Sequence, residues 1–269
     1  WGSKGASGVL EITTRRGVMG KTKINFSYRF TGAWSPEGLN MLNGDGYTMM
    51  MKEAYFNPQQ SPASSNIVEL NYDQSRPMYY HNFNKNTDWV DAVNQFGQTH
   101  NYYVTLTGGG EKARFRISGG YDHQTGTIIK QEMDRFSTRM VLDYYVSDRI
   151  LFSTNFALSY TDNHRNWDGS STSSILGKAY SAMPNMSIYE YDQYGIPTGD
   201  FYKMLPTAKE DDETPDGYSS KYLSDMKNNG NPVAIAHRAF NNQSTYRINP
   251  QFNLRYKLLG KDDESHQLD

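Results

Sequence analysis

The chain has 269 residues and a formal net charge of −2, so its overall charge gives no electrostatic reason to expect nucleic acid as a partner. It contains no cysteine, which excludes disulfide frameworks, cysteine-ligated zinc sites and thiol nucleophiles. Aromatic residues make up 14% of the chain although only 36% of it is hydrophobic, a composition typical of strands with one apolar and one polar face.

The chain begins with the glycine-rich stretch WGSKGASGVLEITTRRG. Gly2, Gly5 and Gly8 lie near Lys4, but a phosphate-binding loop needs its lysine after the glycines and a helix next. Here the run Val9–Thr14 predicts a strand instead, so we expect a tight turn that leads into a short strand. Because the first residue is Trp rather than Met, we also expect a piece of a longer protein.

Six longer segments alternate apolar and polar residues, which is the pattern of a half-exposed β-strand. The six predicted strands cover 23–31, 101–107, 113–122, 135–145, 150–161 and 245–257. Pro250 lies in the last of them and removes a hydrogen-bond donor from the ladder, so we expect a bulge or a local bend there.

The charges of these strands fall in one register. The charged residues of the polar register are Lys23, Arg29, Arg114, Arg116, Arg135, Arg139, Asp143, Arg247, Arg255 and Lys257. The opposite register holds residues such as Phe26, Ile117 and Phe252 and carries no charge. A transmembrane barrel requires this separation because an Arg that faces lipid costs about 2–4 kcal/mol at the bilayer midplane. A soluble β-sandwich also keeps charge off its inner face, so this signal leaves both architectures open.

The lengths of the connections separate the two architectures. Long or medium connections, at about 35–98, 123–134 and 163–243, alternate with short ones at 108–112, 146–149 and 259–265. Outer-membrane barrels show this alternation because tight turns lie at the periplasmic end and longer loops at the extracellular end. Six strands cannot close a channel-sized barrel, so we expect part of a larger barrel or an oligomer.

The connections contain few residues that suggest catalysis or metal binding. A short helix is predicted near 44–55, where the run Met49–Met51 is expected to pack rather than to bind metal. The acidic stretch 209–217 lacks the ligand order of a calcium loop and is expected to be solvated. Asp88 and Asp91 are expected to cap or to hydrogen-bond locally. The histidines show no metal-ligand spacing, so we predict no catalytic residue, no metal site and no cofactor.

Several short motifs resemble the SusC/RagA type of TonB-dependent outer-membrane transporters. The opening stretch resembles the end of that family's plug domain, which usually reads YGSRGANGVILITTKRG. Trp1 replaces the usual Tyr, and Glu11 stands where an apolar residue is common. Further motifs that resemble the family lie at 39–43, 86–89, 100–112, 119–126, 135–139 and 231–234.

The resemblance implies an all-β fold, with about six strands of a barrel of about 22 strands, the last strand of the plug and long extracellular loops. It places residues 1–20 at the end of the plug domain and 21–269 in the first part of the barrel. It also implies import of oligosaccharides or peptides across the outer membrane of a Gram-negative cell. The implied partners are a SusD-like lipoprotein, membrane lipid and TonB, the last through a region outside this chain.

Two sets of residues are candidates for these roles. Lumen-facing cations would hold the plug and hydrate the channel, namely Arg29, Arg114, Arg116, Arg139, Arg247 and Arg255. Aromatic side chains in the last long loop are candidates to stack on substrate, namely Trp167, Tyr189, Tyr191 and Tyr194. The favoured alternative for each is that it packs loop against loop or against the partner lipoprotein. The alternative is a soluble or surface-exposed β-sandwich that binds a ligand and transports nothing.

Overall fold

The computed structural model describes residues 15–59, 70, 77–167, 174–202 and 230–258. Its main element is an antiparallel six-stranded sheet in which each strand pairs with its neighbours in chain order. The strands are β1 (Gly20–Ala33), β2 (Gly97–Gly109), β3 (Ala113–Thr125), β4 (Glu132–Ser147), β5 (Ile150–Asn166) and, after a small hairpin, β8 (Phe240–Tyr256). All six predicted strands are confirmed, and each extends beyond its predicted length.

The connections confirm the alternation of long and short. Tight turns join β2 to β3 and β4 to β5 at one end of the sheet. At the other end lie the two long connections, 34–96 and 167–239, and the shorter segment 126–131. We call the two ends the short-turn end and the long-loop end.

The long connections carry the remaining elements. The first holds α1 (Gly44–Gln59), α2 (Pro77–Phe83) and α3 (Trp89–Val93), and α1 confirms the helix predicted near 44–55. The second holds α4 (Ile175–Ser181), the hairpin of β6 (Tyr189–Tyr191) and β7 (Pro197–Phe201), and α5 (Pro232–Arg238). No helix in the described part of the chain is long and apolar enough to cross a membrane.

The sheet has one apolar face and one polar face, as the alternation predicted. The apolar face is largely exposed: Phe26 keeps 68% of its accessible surface, Ile248 59% and Phe252 68%. A β-sandwich would cover such a face with a second sheet. Among the described residues the second sheet is only the two-stranded hairpin of β6 and β7, so the structure does not support the sandwich alternative.

The buried core lies in the long connections rather than on the sheet. We call it the loop core, and its buried residues are Phe83, Trp89, Val93, Ile175, Ala179, Ala182, Met183, Met186, Val233 and Ala236. Trp89 joins the two long connections, because its indole Nε1 donates to the Met183 carbonyl over 2.7 Å. The loops of the long-loop end therefore form one packed unit.

Local details confirm one prediction and correct another. Asp88 caps α3, since its carboxylate accepts from the Asp91 backbone N–H at 2.9 Å. Of the bulge or local bend predicted at Pro250, the bulge is wrong: Pro250 lies opposite Phe156, and the β5–β8 register continues past it without a shift. Proline removes one hydrogen-bond donor but does not oblige the ladder to shift, and the neighbours of Pro250 stay paired in register.

Three predicted features lie outside the described residues. They are the strand Val9–Thr14, the acidic stretch 209–217 and the last short turn at 259–265.

Candidate functional site

The six arginines that the sequence analysis assigned to a lumen all lie on the polar face. Residues that lie directly opposite one another in a sheet point to the same face. Across β3, β4, β5 and β8 these residues are Ser118, Arg139, Ala157 and Asn249, which places Arg139 on the polar face. The same register places Arg29, Arg114, Arg116, Arg247 and Arg255 on that face. The six residues are spread over β1, β3, β4 and β8 and form a basic wall rather than a single pocket.

Polar neighbours hold several of these cations in place. Arg139 Nε donates to the Asn155 side chain over 2.8 Å, and Arg116 Nη1 donates to Thr107 Oγ1 over 3.3 Å. Arg114 lies over the ring of Tyr145, with 4.9 Å between the guanidinium carbon and the ring centroid. Side chains fixed in this way present their positive charge at defined positions on the polar face.

Two carboxylates on the described strands face this basic wall. Asp122 Oδ2 accepts from both Arg135 Nε at 2.8 Å and Arg135 Nη2 at 2.7 Å. Asp143 is 4% exposed and accepts from Ser153 Oγ at 2.6 Å and from Arg16 Nη1 at 3.0 Å. Cations exceed carboxylates on this face.

The contact of Arg16 brings the segment before β1 against the wall. Next to Arg16, Gly17 passes so close to β3 that a Cβ atom there would clash with the backbone of Phe115. An ion pair and a close backbone approach thus hold the same segment at the short-turn end of the sheet. The sequence signal for this contact was the Arg-Arg-Gly run, but its partner Asp143 is 127 residues away.

The apolar face carries a row of aromatic rings that the sequence analysis missed. One residue from each strand contributes, and each lies directly opposite the next: Tyr28, Tyr102, Tyr121, Phe136, Tyr160 and Tyr246. Ring centroids are 5.0 Å apart for Tyr28 and Tyr102 and 4.6 Å apart for Tyr160 and Tyr246. We call this set the aromatic row. It lies toward the long-loop end, and only the register reveals it.

The four predicted loop aromatics fall in two places. Tyr189 and Tyr191 belong to β6 and Tyr194 to the turn that follows, whereas Trp167 directly follows β5. Tyr189 stacks on Phe201, and Lys85 Nζ lies 4.1 Å from the ring centroid of Tyr191. Tyr194 is 74% exposed and Trp167 45% exposed. The structure therefore groups three of the four and leaves Tyr194 the most accessible.

A cavity of about 670 Å³ lies beside the loop core. Its walls come from 35–43, from 86–91 and from the end of α4. Its aromatic residues are Tyr47, Trp89 and Tyr180, and its carboxylates are Glu37, Asp88 and Asp91. The volume suits a small ligand or one unit of a longer chain. Nearby in α4, burial lowers the pKa of the Lys178 ammonium.

Comparisons with known proteins agree with the fold. No model of a known protein family matches the chain. The chain is 22% identical over 197 residues to TonB-dependent receptor P3 of Formosa agariphila, a match that covers 71% of this chain and 18% of that protein. It is 21% identical over 239 residues to TonB-dependent receptor SusC of Bacteroides thetaiotaomicron, which covers 87% of this chain and 21% of that protein.

A solved structure is similar as well. The RagAB peptide importer in its closed-closed state superposes with a TM-score of 0.53 at 18% identity, over 71% of this chain and 25% of that one. This likeness confirms the predicted fold as part of an antiparallel barrel. The chain spans about a fifth of the length of the relatives named above.

Proposed function

We propose that this chain, whose resemblance to the SusC/RagA type of TonB-dependent transporters is confirmed, forms a section of the wall of an outer-membrane importer. The observation that carries the proposal is the two-faced sheet. Its exposed apolar face matches a surface in contact with lipid, and its basic face matches a hydrated lumen. The names of the relatives are those of receptors, and the similar structure is an importer, which favours transport over catalysis.

The aromatic row supports a membrane position. Aromatic residues of outer-membrane barrels gather at the two membrane–water interfaces. With the row at the outer interface, the long-loop end lies outside the cell and the tight turns face the periplasm. The strands have 13 to 17 residues, more than the 9–11 that a tilted strand needs to cross, so they extend beyond the membrane.

The basic face supports a lumen that holds a plug. We assign residues 1–20 to the end of the plug domain and 21–269 to the barrel, a division that agrees with the start of β1 at Gly20. The contact of Arg16 and Gly17 with the polar face then joins the linker to the inner wall. The cations that would face plug and water are Arg29, Arg114, Arg116, Arg139, Arg247 and Arg255.

The loop core and the hairpin of β6 and β7 support capture of substrate at the outer surface. We propose oligosaccharides or peptides as substrates, with a SusD-like lipoprotein as the outer partner and TonB as the source of energy. Tyr194 and Trp167 offer exposed rings on which a sugar or a peptide side chain stacks. The cavity bounded by Tyr47 and Tyr180 offers a second contact for one unit of such a chain.

Membrane extraction and uptake in the source organism test this proposal. We expect the full-length protein to leave membranes only with detergent and to migrate differently on a gel before and after boiling. Uptake of oligosaccharides or peptides should require both the protein and the proton gradient. A full-length protein that is soluble without detergent would contradict the proposal and restore the binding-module alternative.

The loop aromatics have their own test. Tyr194→Ala should weaken substrate binding about 2- to 10-fold, the range expected for the loss of one stacked ring. Titration of the purified transporter with each substrate class measures the effect. Tyr144→Ala is the matched control, because Tyr144 is 43% exposed but lies on the apolar face at the short-turn end. Equal effects of the two changes on substrate affinity would show that Tyr194 does not contact substrate.

A further inference from the structure

Beyond the aromatic row, toward the long-loop end, the apolar face becomes polar. The next row across the sheet contains His123 on β3, Asp134 on β4 and Asp162 on β5, each opposite the next. One row further on, Glu132 lies opposite His164. Three neighbouring strands thus bring two imidazoles and three carboxylates together on one face of the sheet.

Three of these side chains have the geometry of a metal site. His123 Nδ1 lies 2.9 Å from Asp134 Oδ1 and 3.7 Å from Glu132 Oε1. One ligand atom from each of the three lies within 4.8 Å of the other two. Ligands bound to a single Zn²⁺ at about 2.0–2.1 Å are separated by about 3.3 Å in a tetrahedral site, so small rotamer changes bring all three to one ion.

A neighbouring side chain orients one of the three proposed ligands, and all three ligands are accessible to solvent. Tyr121 Oη donates to Asp134 Oδ1 over 2.7 Å, the kind of hydrogen bond that fixes a ligating carboxylate. The side chains of His123, Glu132 and Asp134 keep 31%, 48% and 35% of their accessible surface. An ion from solution therefore reaches them without a change in the sheet.

The charge balance of the patch favours a cation. Asp134 lies directly opposite Asp162, and like charges in this position destabilise a sheet. Ser244 Oγ donates to Asp162 at 2.9 Å, and His164 Nε2 lies 3.4 Å from the other Asp162 oxygen. Between the aromatic row and the long-loop end, no Arg or Lys lies on the apolar face of β3, β4 or β5 in the described chain. Only imidazoles offset the three carboxylates from within this register.

We propose that His123, Glu132 and Asp134 bind a divalent transition metal ion, with Zn²⁺ as the best fit. An imidazole nitrogen beside two carboxylate oxygens favours zinc over calcium or magnesium, which take oxygen ligands in larger number. Two carboxylates neutralise the ion. A water molecule completes a tetrahedral site, and the ion joins β3 to β4 next to their connection at 126–131.

Zinc binding to the detergent-purified full-length transporter tests this site. We expect titration with Zn²⁺ alone to show a site of micromolar affinity or tighter. Asp134→Asn and Glu132→Gln keep side-chain shape and should each weaken it at least about tenfold, since even outer-shell changes cost about 10- to 100-fold. Zinc K-edge absorption of the wild type should show one imidazole and oxygen ligands at about 2.0–2.1 Å.

Asp148→Asn serves as the matched control, because Asp148 is an exposed carboxylate at the opposite end of the sheet. It should leave zinc affinity unchanged, and gel mobility before and after boiling should show that every variant is assembled. The proposal is overturned if assembled wild-type protein does not bind Zn²⁺, or if Asp134→Asn and Glu132→Gln bind it as tightly as the wild type. In either case the three side chains form only a cluster in which His123 lies between the two carboxylates.

Discussion

At the scale of single residues, Asn82 holds the hairpin that carries three of the loop aromatics. The residue is 1% exposed, and its side chain pairs with the backbone of Tyr191 in both directions. Its Nδ2 donates to the Tyr191 carbonyl over 2.8 Å, and the Tyr191 N–H donates to its Oδ1 over 2.9 Å. Asn82 therefore acts like one residue of a neighbouring strand and ties β6 to α2.

Asn82→Asp should loosen this hairpin. The change removes the amide donor and places a carboxylate oxygen against the Tyr191 carbonyl, which costs about 1–3 kcal/mol for the buried group left unpaired. Hydrogen exchange of peptides from 189–201 in the full-length protein should speed up, while exchange in β2 to β5 stays the same.

Asn84→Asp is the control for charge alone, because Asn84 is exposed and directly follows α2. It should leave exchange of the hairpin as it is. Unchanged exchange in Asn82→Asp as well would show that the stacking of Tyr189 on Phe201 suffices to hold the hairpin.

At the scale of elements, the sheet predicts opposite results for the same substitution on its two faces. Ile248→Arg places a charge on the exposed apolar face, which costs up to about 2–4 kcal/mol if that face meets lipid. Asn249→Arg, one residue further along β8, points to the polar face and should be tolerated. Barrel assembly, followed by gel mobility before and after boiling, measures the difference. Equal assembly of both variants would mean that the apolar face does not contact lipid.

The strands were predictable because their signal is local. In β1, the alternation of Ile24, Phe26, Tyr28 and Phe30 with polar residues is enough to identify a strand and its two faces. The alternation of long and short connections then favoured a barrel over a β-sandwich. Pro250 misled the prediction, because the loss of one backbone donor does not by itself shift the pairing register.

The arrangements that depend on register were not predictable. Tyr28 and Tyr102 meet only because β1 and β2 pair with one particular offset, and the same holds for His123 and Asp134. The loop core was equally hidden, since Trp89 and Met183 lie 94 residues apart. Sequence spacing identifies neighbours along a strand, whereas neighbours across strands require the fold.

At the scale of the whole molecule, the contact of Arg16 with Asp143 joins two proposed domains. Asp143 is almost fully buried. Without Arg16, the Asp143 carboxylate keeps Ser153 as its side-chain hydrogen-bond donor among the described residues. Because Arg16 itself is 58% exposed, the contact is worth less than a fully buried ion pair. We assign it about 1–2 kcal/mol, which corresponds to a factor of about 5–30 in the population of the detached linker.

If the linker leads into the plug, its detachment should make the lumen leak. Arg16→Ala and Asp143→Asn should each increase entry of large antibiotics that the intact outer membrane excludes, and the double variant should leak no more than the stronger single one. Sensitivity of cells to such an antibiotic measures this. Arg15→Ala changes the exposed neighbouring cation and should leave sensitivity unchanged. Additive effects of the two single changes, or a leak in Arg15→Ala, would show that this ion pair does not anchor the plug.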